Sequence, residues 1–592
     1  MKRIITILVM VICGNAFSQM YVSPGSFMYV KDQVVFVTQD IDLQNNGNIY
    51  LRNEGQLLQG SAGLSLNKGL GKLSVYQEGT SDNFDYNYWC SPVGDATVLA
   101  GNSNFGITML NRPVDLVNST PATMLAMTAL NGNASPLEIA QRWVFKYINS
   151  NLYSQWVSVA AATNLAAGEG FTMKGTAGTD ATNVDGVVAN NPISAQRYDF
   201  RGKPNDGNIF VNVGANNQTL TGNPYPSALH VNAFLLDPSN TAGDGIAYYW
   251  EQNKSVNSHF LQQYQGGYGT YAPISPISNG LYVAATFDTY DGSGNLNTTG
   301  TSSGLVIARK YAPIGQGFMV EGITPGVLTI KNSHRAYYKE SLALSQFERS
   351  DSTPENNTPE ADQVSHFRIN TILNNQYTRQ IALAFVPEAT DGIDRGIDAG
   401  SPADVELPND VYFLLENERY VIQGINFDVN KRLPLGVKAT GNATLRFYVP
   451  EVINFDESQP IYIYDAADNS YHNIKTGFYD VTLPTGIYHD RFEVTFTDAS
   501  LSVPSLTDET FGIVQDNASQ QLLISNPNGI ELKSCSLYDM SGKLVLRKLN
   551  LGSDPNFTVS TSGFSDGVYI VKILTGNNQD VGKKVSVYNK AN

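Results

Sequence analysis

Apolar residues almost nowhere recur at i, i+3, i+4 and i+7 along this chain. They alternate in short runs closed by Gly, Asn, Asp and Pro. That pattern predicts strands joined by tight turns, because strand side chains alternate between faces. One helix is expected, around Tyr337 to Phe347. Between Val34 and Leu70 the runs are very short. Gly47, Gly55 and Gly63 recur there every eight residues. Two readings stay open for this stretch: a small solenoid-like cap, or a plain β-meander, since solenoid rungs need roughly 20 residues or more. From 364 to 499 the alternation is clear, as in Arg379 to Phe385, Val411 to Leu415 and Arg491 to Phe496. This block has the size of a sandwich.

A weak internal duplication lies between these regions. Leu73 to Gly94 (LSVYQEGTSDNFDYNYWCSPVG) and Ile209 to Ala228 (IFVNVGANNQTLTGNPYPSA) each read as strand, polar turn, strand and a proline stop. Downstream, GEGFTMKG (Gly168 to Gly175) matches GQGFMVEG (Gly315 to Gly322). The glycines permit positive φ in a tight turn, and Phe171 and Met173, like Phe318 and Val320, then point to one face. The prolines end strands because they cannot donate to a ladder. The expected organisation is 1–18 signal peptide, 19–80 short-strand region, 81–200 and 201–349 related β modules, 350–363 linker, 364–500 β-sandwich and 512–592 a final domain. The fold class is all-β and multidomain, with tandem sandwich or jelly-roll-like modules.

Composition narrows the function. The chain has 592 residues, 42% hydrophobic and only 16% charged. Its 38 Lys and Arg against 54 Asp and Glu give a net charge of −16. Such a surface repels phosphate backbones, so nucleic acid is excluded as a partner. Lys2 and Arg3, an apolar Ile4 to Ile12 and the small residues of Ala16-Phe17-Ser18 read as a secretory signal cleaved between Ser18 and Gln19. Ile12 before Cys13 is too large for a lipobox. No other stretch is apolar for long enough to span a bilayer as a helix. Cys90 and Cys535, far apart in sequence, form neither a disulfide framework nor a zinc set.

No catalytic motif stands out. The six histidines make no HExxH or HxH, and no P-loop, G-x-S-x-G elbow or G-x-G-x-x-G fingerprint is usable. The cluster Asp288, Asp291, Gly292 and the trio Asp391, Asp394, Asp398 gather oxygen ligands. They read as turn residues or as a structural calcium site, without EF-hand spacing. No other cofactor is indicated. A carboxylate pair for glycoside hydrolysis can hide among so many acids. Trp89, Trp143, Trp156 and Trp250 read as core residues or as a sugar-stacking platform. Asp351-Ser352-Thr353, in the polar linker, resembles the O-glycosylation sequon of Bacteroidetes, with Ser352 in the middle position.

The C-terminus carries the most specific signal. Leu537-Tyr538-Asp539-Met540-Ser541-Gly542-Lys543 is strand and turn. Gly567-Val568-Tyr569-Ile570-Val571-Lys572-Ile573 is an alternating strand, and Lys583-Lys584-Val585-Ser586-Val587 is the last one. With Asn526-Pro527 upstream, these resemble the type A C-terminal sorting domain of the Bacteroidetes type IX secretion system. The resemblance implies a seven-stranded Ig-like sandwich recognised by the translocon and removed by the sortase. The cargo is then released or joined to surface lipopolysaccharide. It places Gly542 in the turn, Gly567 at the start of a strand, and Lys583 and Lys584 at a basic tip. The GNPYPSA and GQGFMVEG motifs and the block from Asp391 to Phe496 look like accessory β regions of large secreted proteins of that phylum. The expected function is a non-enzymatic secreted or surface protein, adhesive, structural or glycan-binding, with surface polysaccharide as a candidate partner. The alternative is a polysaccharide hydrolase with its acids in 81–340.

Overall fold

The computed structural model describes residues 19–589 apart from 261–262, 288–306, 343, 348–362, 401–406, 499–510 and 577–579. The signal segment with Ser18, the Asp288–Asp291 cluster and Ser352 lie outside the described residues. Gln19 is exposed and immediately precedes the first strand. The described chain is all-β. It divides into two compact units, residues 1–497 and 498–592.

The first unit opens with a parallel solenoid. Met20–Val22, Phe27–Lys31 and Val34–Val37 form one rung, and Ile41–Leu43, Asn48–Arg52 and Gln56–Gln59 form the next. Met20 lies beside Ile41, Phe27 beside Asn48 and Val34 beside Gln56, so a rung takes 21 or 22 residues. The eight-residue glycine spacing marks corners within a rung, not the rung itself. A Cβ on Gly47 would sit 2.7 Å from the Val22 carbonyl oxygen, and one on Gly55 2.6 Å from that of Val30. Glycine therefore lets each corner lie directly on the one before. Val22 stacks on Leu43, and Val30 on Leu51 and then Val75, giving a continuous apolar interior. That interior merges with the core of the following module through Trp89, Phe171 and Phe200.

The two similar stretches pair their strands in the same way, the first of them beginning at Lys72. In the first copy Lys72–Glu78 pairs antiparallel with Arg197–Pro204, and Tyr86–Cys90 with Gly170–Lys174. In the second, Ile209–Val213 pairs with Gly326–Ile330, and Asn217–Gly222 with Gly317–Gly322. The registers agree. Gly170 opposes Cys90, two residues before Pro92, and Gly317 opposes Gly222, two residues before Pro224. Each glycine of the G-x-G-F-x-x-x-G motif has its own reason. Gly168 and Gly315 have φ of +88° and +80°. A Cβ on Gly170 would meet Leu220 Cγ and the Thr221 carbonyl oxygen at 2.7 Å, and one on Gly317 would meet Trp89 N and Tyr88 C at 2.7 Å. The two copies thus press their motif strands reciprocally onto each other's backbone. Gly175 and Gly322 each lie against the turn between the first two strands of their copy, at Ser81 and Gly214.

Residues 366–495 form an eleven-stranded sheet, antiparallel except where Tyr377–Phe385 runs parallel to Glu418–Ile425. Its core is continuous with Leu220, Tyr248 and Met319 of the second copy. The expected helix at Tyr337 to Phe347 is not formed; the described residues there are turns and irregular chain. Neighbours claim that segment's polar groups. Gln56 donates to the Tyr338 carbonyl, Ser341 to Glu54, and Tyr338 stacks on Tyr311 at 4.3 Å. The α-helix among the described residues is Val231–Leu235, too short to show a 3.6-residue period.

The second unit is a seven-stranded, two-sheet sandwich. Gly512–Asp516, Gln521–Ser525 and Asn556–Ser560 face Leu544–Gly552, Leu532–Asp539, Gly567–Thr575 and Asp580–Val587. Ile513, Leu522, Cys535, Leu537, Val571 and Ile573 fill its core. Cys90 and Cys535 are both buried free thiols.

Candidate functional site

The motif residues of the C-terminal sandwich shape its turns and fill its core. Leu537 is buried and Tyr538 half-buried. The Asp539 carboxylate accepts the amides of Ser541 at 2.9 Å and Lys543 at 3.0 Å, and the Ser541 hydroxyl at 2.6 Å. Those bonds, the hydroxyl first, hold its carboxyl below the ordinary range. Gly542 has φ of +82°, which the tight turn requires. Lys543 is exposed. Gly567 sits in extended backbone, and a Cβ placed there would meet Tyr569 alone, at 3.9 Å. The buried Tyr569 donates to the Ser565 carbonyl at 2.8 Å. Lys584 is exposed and Lys583 half-buried on the last strand. Asn526 is fully buried and ties its loop to Ile530 and Asp554, which accounts for the Asn-Pro pair.

The aspartates of DGIDRGIDAG organise backbone. Asp394 accepts the Thr390 amide at 2.6 Å. Asp398 accepts the amides of Asp394 at 2.6 Å and Gly424 at 2.8 Å. Asp391 pairs with Lys431. Among the described residues no group of three or more His, Cys, Asp and Glu is arranged to hold a metal. The loop serves as an interlock. Arg395 donates to the carbonyls of Leu235 at 2.6 Å, Gly243 at 2.7 Å and Asn240 at 2.7 Å, capping the short helix of the second copy. A Cβ on Gly245 would lie 3.0 Å from the Gly396 backbone, so the two glycines let the chains meet.

Beside this interlock lies a cleft of ≈ 590 Å³ between the second copy and the eleven-stranded sheet. The rings of Tyr147, Tyr248 and Tyr420 line it, with the amides of Asn151, Asn216 and Gln218. Asp244, Glu321, Asp398 and Glu418 supply carboxylates. Asp244 accepts the Tyr248 hydroxyl at 2.8 Å and the Ile246 amide at 2.9 Å. Burial, then the charge of Glu321, pushes the Asp244 carboxyl up to about 7. Burial likewise raises Asp398 to about 7.

Aromatic packing leads from the cleft along the seam between the copies. Tyr147 lies 4.7 Å from Trp156, which contacts Tyr88, which in turn stacks on Trp250. Trp156 and Trp250 are half-buried, whereas Trp89 is a core residue with 1% exposure. Trp143 is half-buried and stacks on His259 at 5.3 Å. Lys174 lies over the rings of Trp143, Tyr264 and Tyr86 at 4.3, 4.7 and 5.0 Å, and donates to the Tyr264 hydroxyl. Burial lowers its ammonium to about 7. The tryptophans nominated from sequence thus divide between core and seam. The cleft residues, drawn from positions 147 to 420, include Asp398 of the aspartate trio, and the others had no local sequence signal.

Fold and site together define a modular all-β protein with a separate sorting sandwich. The chain belongs to the family described as a domain of unknown function (DUF8693), which matches residues 6–496. Residues 518–588 match the secretion system C-terminal sorting domain, so this is a protein exported by type IX secretion to the cell surface or the medium. No curated protein matches the chain. Similar solved structures include the CupB2 chaperone of Pseudomonas aeruginosa (7% identity, 38% of this chain and 87% of that one, TM-score 0.11). Others are a polysaccharide lyase (11%, 41% and 42%, 0.12) and the BSP domain of a biofilm-associated protein (8%, 88% and 96%, 0.12). At these TM-scores none relates its fold to this one. No described helix is long and apolar enough to cross a membrane.

Proposed function

We propose that this is a non-catalytic surface protein that binds neutral glycan chains in the tyrosine-walled cleft. The carrying observation is one open cavity in which the half-buried Tyr420 ring meets three carboxamide side chains above the buried Tyr147 and Tyr248. The Tyr420 ring can stack on a sugar C–H surface, and amides and carboxylates exchange hydrogen bonds with hydroxyls. Tyr420 comes from the eleven-stranded sheet and Tyr248 from the duplicated module, so binding would engage both parts. Titration calorimetry of residues 19–592 with neutral oligosaccharides tests this. Tyr420→Ala is expected to weaken binding at least tenfold, and equal affinity would overturn the reading.

A hydrolase is the second reading, and one observation favours it. Asp244 is held near neutrality by burial beside a second carboxylate, as a general acid requires. Release of reducing ends that disappears in Asp244→Asn while oligosaccharide binding survives would establish it. Binding without turnover supports the non-catalytic reading.

A further inference from the structure

The four-stranded sheet of the sorting sandwich has two edge strands, Leu544–Gly552 and Asp580–Val587, and they differ. Asp580–Val587 buries Val581, Val585 and Val587 and exposes polar side chains such as Lys584 and Ser586. Leu544–Gly552 pairs with Leu532–Asp539 on one side only among the described residues. Leu544, Val545 and Leu549 are 46%, 40% and 62% exposed, and Arg547 and Lys548 are also exposed. Cross-strand pairing puts Leu544, Arg547 and Leu549, opposite Tyr538, Ser536 and Ser534, on one face, and Leu546 and Lys548, opposite the core residues Leu537 and Cys535, on the other, with Val545 in a bulge. Both faces therefore combine apolar side chains with a cation. Between Ser534–Leu549 and Leu537–Leu546 the pairing is regular, with register shifts only beyond those points. A regular edge with exposed apolar side chains is a template for a further strand.

Charge identifies the occupant. Residues 512–592 hold 8 Lys and Arg against 6 Asp and Glu, while the whole chain holds 38 against 54. The sandwich of residues 512–592 thus carries a small positive balance while the whole chain is acidic, and two of its cations stand on this edge. We propose that Leu544–Gly552 is the docking edge of the sorting unit, to which the export machinery adds a strand bearing carboxylates among apolar side chains on each face; this rests on the sorting assignment. Main-chain hydrogen bonds would supply affinity, and the alternating side chains the selectivity. None of the motif residues of the turn or of the last strand marks this surface.

The test is export of the full chain in a host with a type IX system. Arg547→Glu/Lys548→Glu and, separately, Leu549→Asp should cut the exported fraction at least tenfold, with protein accumulating in the periplasm. Thr558→Glu, on the edge strand Asn556–Ser560 of the other sheet, should export like the wild type. The milder Arg547→Gln/Lys548→Gln keeps side-chain length and guards against misfolding, and the purified variants should unfold at the wild-type midpoint. Wild-type export of both the double Glu and the Asp variants would overturn the proposal. So would loss of export confined to Thr558→Glu. A chain lacking 512–592 separates the two levels: its export would overturn the sorting assignment itself, and its retention leaves the edge variants to decide.

Discussion

Gly317 and Gly567 are both glycines in strands, yet only one lacks room for a side chain. A Cβ on Gly317 would lie 2.7 Å from the backbone of Tyr88 and Trp89. Gly317→Ala is therefore expected to destabilise the first unit by about 1–3 kcal/mol, read as a shift in its urea midpoint. Gly567→Ala should stay within about 0.5 kcal/mol, because its surroundings are open. Asp244 makes a pH prediction. Its carboxyl ionises near 7 in the fold and near 3.8 when unfolded. Folding then takes up a proton between those values, and stability falls as pH rises from about 4 to 7. Asp398 adds to the same trend. Asp244→Asn should gain more stability at pH 8 than at pH 5 in thermal unfolding; an equal gain at both would refute the assignment.

At the scale of elements, the molecule depends on junctions more than on single sheets. Arg395 ends in three carbonyls of the second copy. Arg395→Met strands those carbonyls and removes charge-assisted bonds worth about 1.5–3 kcal/mol each before non-additivity. The eleven-stranded sheet should then be cleaved from the rest by limited proteolysis far faster than in the wild type, while the sorting sandwich keeps its own rate. The solenoid makes a similar point. Its corners at Gly47 and Gly55 were visible in the sequence, but parallel pairing was not. A strand of three to five residues carries the same alternation whether its neighbour runs parallel or antiparallel.

At the scale of the molecule, the sorting sandwich and the cleft belong to different units. Removing 512–592 should leave glycan affinity of the purified chain unchanged and stop its export, measured by calorimetry and by fractionation. A loss of binding on that deletion would place part of the site in the sorting unit and refute the cleft. The strand content, the duplication and the sorting sandwich were legible because each is local. Alternation sets the faces of a strand, G-x-G-F-x-x-x-G recurs as a contiguous string, and the LYDMSGK turn is closed by Asp539 upon residues two and four positions on. The helix expected at Tyr337 to Phe347 failed because residues such as Gln56 and Glu54, hundreds of positions away, take its polar groups. The cleft was invisible for the same reason. Tyr147, Asp244 and Tyr420 carry no shared spacing, and only the packing of the duplicated module against the eleven-stranded sheet brings them together. Local residue order dictated the alternating strands, their turns and where the chain would be sent. Which segments lie side by side was settled by the fold, because contact between distant strands depends on the whole packed core and not on any window of residues.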